Sequence, residues 1–241
     1  AVLVDRYSAS ASDILAAAIQ DYERGVIIGQ QTFGKGTVQN LYSLDQYLRG
    51  EGDKGFGQLT LTIGKYYRVT GESTQHRGVD PDIALPSHIN AELVGESVRD
   101  SALPWDTIQT TRFRAGKPLD PTIETLTGTY RERVKDDPNF RYQMDMIRAA
   151  EEITSRKAVS LNIETRRQER EDDLQRQLDR ENERRVALGL EPVENLDDIE
   201  EDDVPDILLD QAAGIVMDMA TVREVESIGP TASLRNLDQA E

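Results

Sequence analysis

Two short apolar runs, Val2-Leu3-Val4 and Val26-Ile27-Ile28, flank one alanine-rich amphipathic stretch, and this constrains the fold more than any other feature of the chain. Strands this short and this apolar are buried on both faces, as in a parallel sheet covered by helices. The stretch SASDILAAAIQDYERG between them reads as a helix, with Ile14, Leu15, Ala18 and Ile19 on one face and Gly25 as its stop. Strand, helix and strand in that order form a βαβ unit, which implies a parallel pair joined by a right-handed crossover. Two further runs, TVQNLYSL and QLTLTIGKYYRV, alternate apolar and polar residues in the manner of half-buried strands. Between them Leu48 to Gly57 is a polar, glycine-rich loop, and HRGVDPDIALP closes the region with turn chemistry.

From about Ser87 the pattern changes to charged helix. Asp120-Pro121 and Asp137-Pro138 each place an N-cap before a first-turn proline. The helix after Asp137 carries Phe140, Met144, Ile147 and Ile153 at helical spacing. A long helix from Asn162 to Ala187 has only a narrow apolar stripe (Ile163, Leu174, Leu178, Val186) and is expected to be mostly wet, with Asp172→Arg176 and Glu181→Arg185 pairs. An acidic linker, EPVENLDDIEEDDVPD, leads to a last helix through Leu208, Ile215, Val216 and Met219, and residues 228–241 read as a disordered tail. The expected architecture is an α/β unit over residues 1–86 followed by a mostly α-helical domain over residues 87–227.

Charge excludes some functions. With 28 basic against 45 acidic residues the formal charge is −17, which argues against a nucleic-acid or anionic-membrane partner. No run is apolar enough to span a bilayer, and with no cysteine the chain has neither a disulfide framework nor a thiol nucleophile. The chain starts at Ala1 inside a strand-like run, so it is expected to be the C-terminal piece of a longer protein whose targeting information lies upstream.

The chemistry-bearing residues sit around the βαβ unit. Ser8, Ser10 and Ser12 crowd the turn where the first strand ends and the helix begins. Free backbone N–H groups and the positive end of the helix dipole stabilise an oxyanion there, and the Ala11 N–H lies beside Ser10 as a donor. Serine is also a favoured N-cap, so the pattern alone leaves capping and nucleophilic roles open for all three. Lys35 lies in QTFGKGT with glycine on both sides, which lets the backbone approach another segment closely. Burial favours the neutral amine and so equips a lysine as a general base, whereas a solvated loop lysine stays charged. Gln39 lies four residues on in the next strand; it is either an edge-strand polar residue or the amide that holds Lys35 in position.

Two competing constellations are weaker. GQQTFGK is most of a phosphate-binding loop, but Gly36 stands where a magnesium-binding Ser or Thr belongs, and the following residues are strand-like. A Ser-His-Asp triad would need His76, in a polar turn beside Arg77, or His88, and neither has a neighbouring pattern that argues for catalysis.

The segments SASASD, GVIIGQQTFGKGTVQ and RGVDPDIALP resemble the carboxy-terminal processing peptidases, serine proteases with a Ser–Lys dyad. The helical segments VGESVRDSALPWDTI, DPNFRYQMDMI and VSLN resemble the long C-terminal domain found in the tail-specific members of Gram-negative bacteria. The resemblance implies that residues 1–86 are the C-terminal half of a protease core, with Ser10 as nucleophile, Lys35 as base twenty-five positions on, Gln39 as its support and the Ala11 N–H as oxyanion donor. It implies no cofactor and no metal. Substrates would be proteins with apolar C-termini, met in the periplasm, in some members through a lipoprotein adaptor. Members carry upstream a PDZ domain and a second oxyanion donor, so this chain alone is expected to be inactive. A non-enzymatic helical interaction module and an inactive homologue are the alternatives, and the intact Ser10, Lys35 and Gln39 set argues against the latter.

Overall fold

A computed structural model describes residues 1–47, 55–87, 89, 90, 92–199 and 204–228, with side chains to residue 222. The loop expected at 48–57 (save 55–57), His88, part of the acidic linker (200–203) and residues 229–241 of the tail lie outside the described residues. The chain divides into two compact units, the first formed by residues 1–84 and 89–119, the second by residues 85–88 and 120 onward.

In the first unit, β1 (Val2–Val4), α1 (Ala11–Asp21) and β2 (Ile27–Gly29) form the expected βαβ unit. β1 and β2 pair in parallel with Val2 opposite Ile27 and Val4 opposite Gly29. β3 (Thr37–Ser43) and β4 (Gln58–Lys65) make an antiparallel hairpin. β5 (Ile83–Ala84) adds to β2 in parallel, giving the sheet order β1-β2-β5. The core under α1 consists of Val4, Ala16, Ala17, Ile27 and Val79, with Val2 and Ile19 packed against it.

Two features of α1 differ from the sequence expectation. Its buried face is Asp13, Ala16 and Ala17, while Leu15 is exposed. Alanines bring the helix axis close to the sheet, and a leucine at those positions would hold it off. The helix also stops before Gly25. Glu23 takes the left-handed conformation (φ 49°), Glu23 N–H donates to Gln20 O and Arg24 N–H to Ile19 O, the two bonds of a Schellman motif. Gly116 N–H donates to Tyr22 O at 2.9 Å, so a distant segment satisfies another terminal carbonyl.

The helices of the second part begin at Asp120, not near Ser87. The described residues of 89–119 carry a single short 3-10 turn and lie with the first unit. Trp105 holds them there: its indole N–H donates to Ser73 O, and the Arg77 guanidinium stacks 3.6 Å above its ring centroid.

The second unit contains α2 (Asp120–Arg133), α3 (Pro138–Ser155), α4 (Ile163–Ala187) and α5 (Ile207–Ile228). Asp137 caps α3 and Asn162 caps α4, each accepting from first-turn N–H groups. α5 buries Ile207, Ala212, Ile215 and Met219 but leaves Val216 exposed. It packs on α2 and α3, and Arg133 pairs with Asp218. α4 packs on α3 through a buried Glu181–Arg184 pair, whose guanidinium also donates to Asn139 Oδ1. The expected i,i+4 pairs are replaced: Glu181 takes Arg184, Arg185 donates to Glu191 O, and Arg176 pairs with Asp173. Packing against α3 decides which arginine turns inward.

Two tests follow from these cores. Ile27→Ala is expected to destabilise the first unit by about 2–5 kcal/mol, because the cavity left between α1 and the sheet cannot collapse. The exposed Leu15→Ala change is expected to cost under about 0.5 kcal/mol, both read from urea unfolding curves. In the second unit the Tyr130 hydroxyl is buried without a partner among the described residues, and burial pushes its pKa up to about 12. The folded state therefore binds that proton more tightly than the unfolded one, and its contribution is complete below about pH 10 and lost as pH rises towards 12. Tyr130→Phe should remove this alkaline loss and stabilise the unit by roughly 1 kcal/mol at pH 7, since no buried hydroxyl is then left unpaired.

Candidate active site

The chain turns sharply between β1 and α1, and the three serines there have different surroundings. Ser8 belongs to the turn itself: its hydroxyl donates to Asp5 Oδ1 at 2.9 Å and accepts from Asp5 N–H at 3.0 Å. Ser12 is exposed in the first turn of α1. Ser10, rather than Ser8, is the N-cap, and its backbone sits at φ 56°, ψ −106°, a region that side-chain-bearing residues rarely adopt.

One carboxylate holds that conformation. Asp13 is fully buried and its two oxygens take four donors. Oδ2 accepts from Ser10 N–H at 2.7 Å and Lys35 N–H at 3.0 Å, and Oδ1 accepts from the Thr32 hydroxyl at 2.5 Å and Gly34 N–H at 3.0 Å. Bonds to a charged acceptor are the strong ones, and together they clamp the serine turn to the glycine–lysine loop. Thr32 passes the connection on, its hydroxyl accepting from Val79 N–H at 2.7 Å.

The glycines beside Lys35 are needed where they stand. A Cβ on Gly34, at φ 86°, would lie 2.8 Å from the His76 carbonyl group, and one on Gly36 would lie 2.7 Å from Gln75 N. The close approach puts Gln75 Oε1 in reach of Gly36 N–H (2.8 Å), while Gln75 Nε2 donates to Glu96 Oε1. His76, which the sequence places in a polar turn, is half-buried at φ 66° with Nε2 buried and unpartnered among the described residues. Lys35 is followed by strand β3, so the helix that follows the lysine of a phosphate-binding loop is not formed here.

Ser10, Lys35 and Gln39 line one cleft of about 370 Å³ together with Ile14, Leu41 and Tyr66. Lys35 Nζ lies 3.5 Å from Gln39 Oε1, and Gln39 Nε2 lies 3.4 Å from Thr62 Oγ1 on β4. The amide of Gln39 is thus turned with its oxygen towards the amine. The register steps from Val38 opposite Gly64 to Gln39 opposite Thr62, so a bulge at this point sets where Gln39 faces. Ser10 and Lys35 share the cleft without a direct hydrogen bond among the described residues; such contacts commonly tighten when substrate binds. The Ala11 N–H belongs to the first turn of α1, where donors have no intrahelical acceptor.

Sequence reasoning missed Asp13 as more than a helix-start residue, and it missed Gln75. Asp13 had a signal, because a carboxylate three positions after an N-cap serine is the pattern of a capping box. Gln75 had none, since only the fold brings it to Gly36.

At the candidate site a strand-to-helix turn bearing a strained serine stands beside a clamped, glycine-flanked lysine. The chain belongs to the family of the C-terminal domain of tail specific protease, whose model matches residues 89–221, and residues 1–85 match the model of peptidase family S41. It is similar to a tail-specific protease of Haemophilus influenzae, 38% identical over 237 residues, which is 97% of this chain and 34% of that protein. A carboxy-terminal-processing protease of Bartonella bacilliformis is 42% identical over 97 residues, 40% of this chain and 20% of that protein. Among solved structures, the photosystem II D1 C-terminal processing protease is 37% identical, covering 35% of this chain and 19% of its own at a TM-score of 0.29. The chain thus spans about one third of the length of the Haemophilus relative.

Asp13→Asn is expected to loosen the site. An amide offers one acceptor oxygen instead of two, and its NH2 faces donors. Leaving even one of these buried donors unpaired costs about 1–3 kcal/mol. Amide exchange at Gly34 and Lys35 should accelerate in this variant while exchange in the second unit stays unchanged.

Proposed function

We propose that this chain carries the nucleophile and the base of a serine endopeptidase that acts on proteins through their apolar C-termini. Ser10 Oγ attacks the peptide carbonyl carbon while the neutral amine of Lys35 takes its proton, and Lys35 then returns the proton to the leaving nitrogen as the C–N bond breaks. The Ala11 N–H and the N-terminus of α1 stabilise the oxyanion, and Gln39 aims the amine. Water, activated by the same lysine, releases the acyl group from Ser10.

The observation that carries this reading is that a serine in a strained N-cap and a lysine held by an amide oxygen line one cleft, both clamped through their backbone N–H groups by the same carboxylate. Ile14 and Leu41 in the cleft wall suit aliphatic side chains. The preference for apolar C-termini, a periplasmic setting, a PDZ domain and a lipoprotein adaptor belong to the proposal through the resemblance to the Gram-negative tail-specific proteases.

In the complete protease, Ser10→Ala should lower turnover of an unfolded reporter with an apolar C-terminus by about a thousandfold or more, whereas Ser8→Ala and Ser12→Ala should retain most of it. Lys35→Arg should be as inactive as Lys35→Ala, because a guanidinium does not give up its proton. An acylating probe that labels Ser8 or Ser12, or substantial turnover by the arginine variant, would overturn the assignment. The same assay on the 241-residue chain alone tests the expectation that it is inactive by itself.

A further inference from the structure

The second unit holds a groove of about 710 Å³ where the end of α3, the stretch 156–162 and the start of α4 meet. Its floor is apolar and open: Ile153, Val159 and Ile163 are 52%, 60% and 61% exposed. Leu161, in the same stretch, is 97% exposed. Isolated exposed apolar residues are ordinary, but a contiguous set with a polar rim marks an interaction surface.

The rim inverts the charge of the rest of the chain. Arg156, Arg166, Arg167 and Arg170 line the groove against only two carboxylates, Glu169 and Asp173, in a protein of net charge −17. Arg166 and Arg167 have i,i+3 partners, and Arg156 reaches Glu152 only at 3.9 Å. Asp173 is engaged by Arg176, and Arg170 makes no ion pair among the described residues. The backbone adds a further element. Arg156 and Asn162 are both extended, and between them the N–H and C=O groups of Ala158, Val159 and Leu161 make no hydrogen bonds among the described residues. Val159 and Leu161 therefore alternate along an unpaired stretch that ends where α4 begins at Ile163, and unpaired backbone of this kind is the template on which an extended peptide adds as a strand.

We propose that this groove docks an extended segment of a partner protein in which apolar and acidic residues alternate. Its apolar side chains lie on Ile153, Val159 and Ile163, its carboxylates meet Arg166 and Arg170, and its backbone pairs with residues 158–161. The groove is built entirely within the second unit and stands independently of the chemistry at Ser10.

The test uses the full chain as a Ser10→Ala variant, so that no probe is cleaved. A fluorescein-labelled octapeptide of alternating leucine and glutamate is titrated by anisotropy, beside a leucine–lysine octapeptide of equal length. The acidic peptide should bind, more weakly as salt is raised, and the basic one should not. Val159→Ser and Arg166→Ala/Arg170→Ala change exposed positions and should leave the circular dichroism intact while each raises Kd about tenfold. Equal binding by these variants, equal binding of the basic peptide, or no binding at all would overturn the proposal. So would two further results: preferential binding to phosphatidylglycerol vesicles, or self-association of the chain that Val159→Ser abolishes.

Discussion

Four donors converge on the Asp13 carboxylate, and the geometry of the candidate site depends on that convergence. A fully buried carboxylate is costly unless its lone pairs are filled, and here each oxygen takes two donors. The same bonds solve three local problems. They satisfy the Ser10 N–H at the helix start, hold Ser10 in its unfavourable backbone conformation, and fasten the loop that carries Lys35. Strain at the serine is thus offset at the point where it arises. The Thr32 hydroxyl, bonded to both Asp13 and Val79 N–H, ties this arrangement to the sheet core.

Behind the clamp stands a second layer of buried polar contacts. Gln75 bridges Gly36 N–H to Glu96, and Arg99 lies near Glu96 and over the Phe33 ring. Arg6, buried and with its pKa lowered chiefly by desolvation, donates to Thr32 O and Val94 O. Val94 and Glu96 therefore back the Lys35 loop, although they lie beyond the segment that reads as the catalytic core. A change at Glu96 would act on Lys35 through the position of the loop, without touching the cleft.

What was legible in the sequence follows the range of the interaction concerned. The βαβ unit, the hairpin strands and the cap at Asp137 rest on contacts between near neighbours, and periodicity and capping chemistry expose those. The buried face of α1 was misplaced because alanines occur on every side, so only the sheet decides that Ala16 and Ala17 go in and Leu15 stays out. Gly25 looked like the helix stop, yet Glu23 takes the left-handed position because two Schellman bonds close around it. Ser10, Lys35 and Gln39 stood out in one strand-turn-helix pattern and do line one cleft. Gln75 and Arg6 were invisible, since the partners of their side chains lie 21 to 88 positions away.

All four groups bonded to Asp13 lie between residues 10 and 35. The clamp is therefore a closed loop of chain whose length is a mechanical dimension. One residue added within α1 would turn everything after it by about 100° around the helix axis and carry the Lys35 loop off the carboxylate. A loose stretch of chain obeys a different rule, since lengthening it twofold costs only about 0.6 kcal/mol. The interval from Ser10 to Lys35, by contrast, tolerates no drift in length.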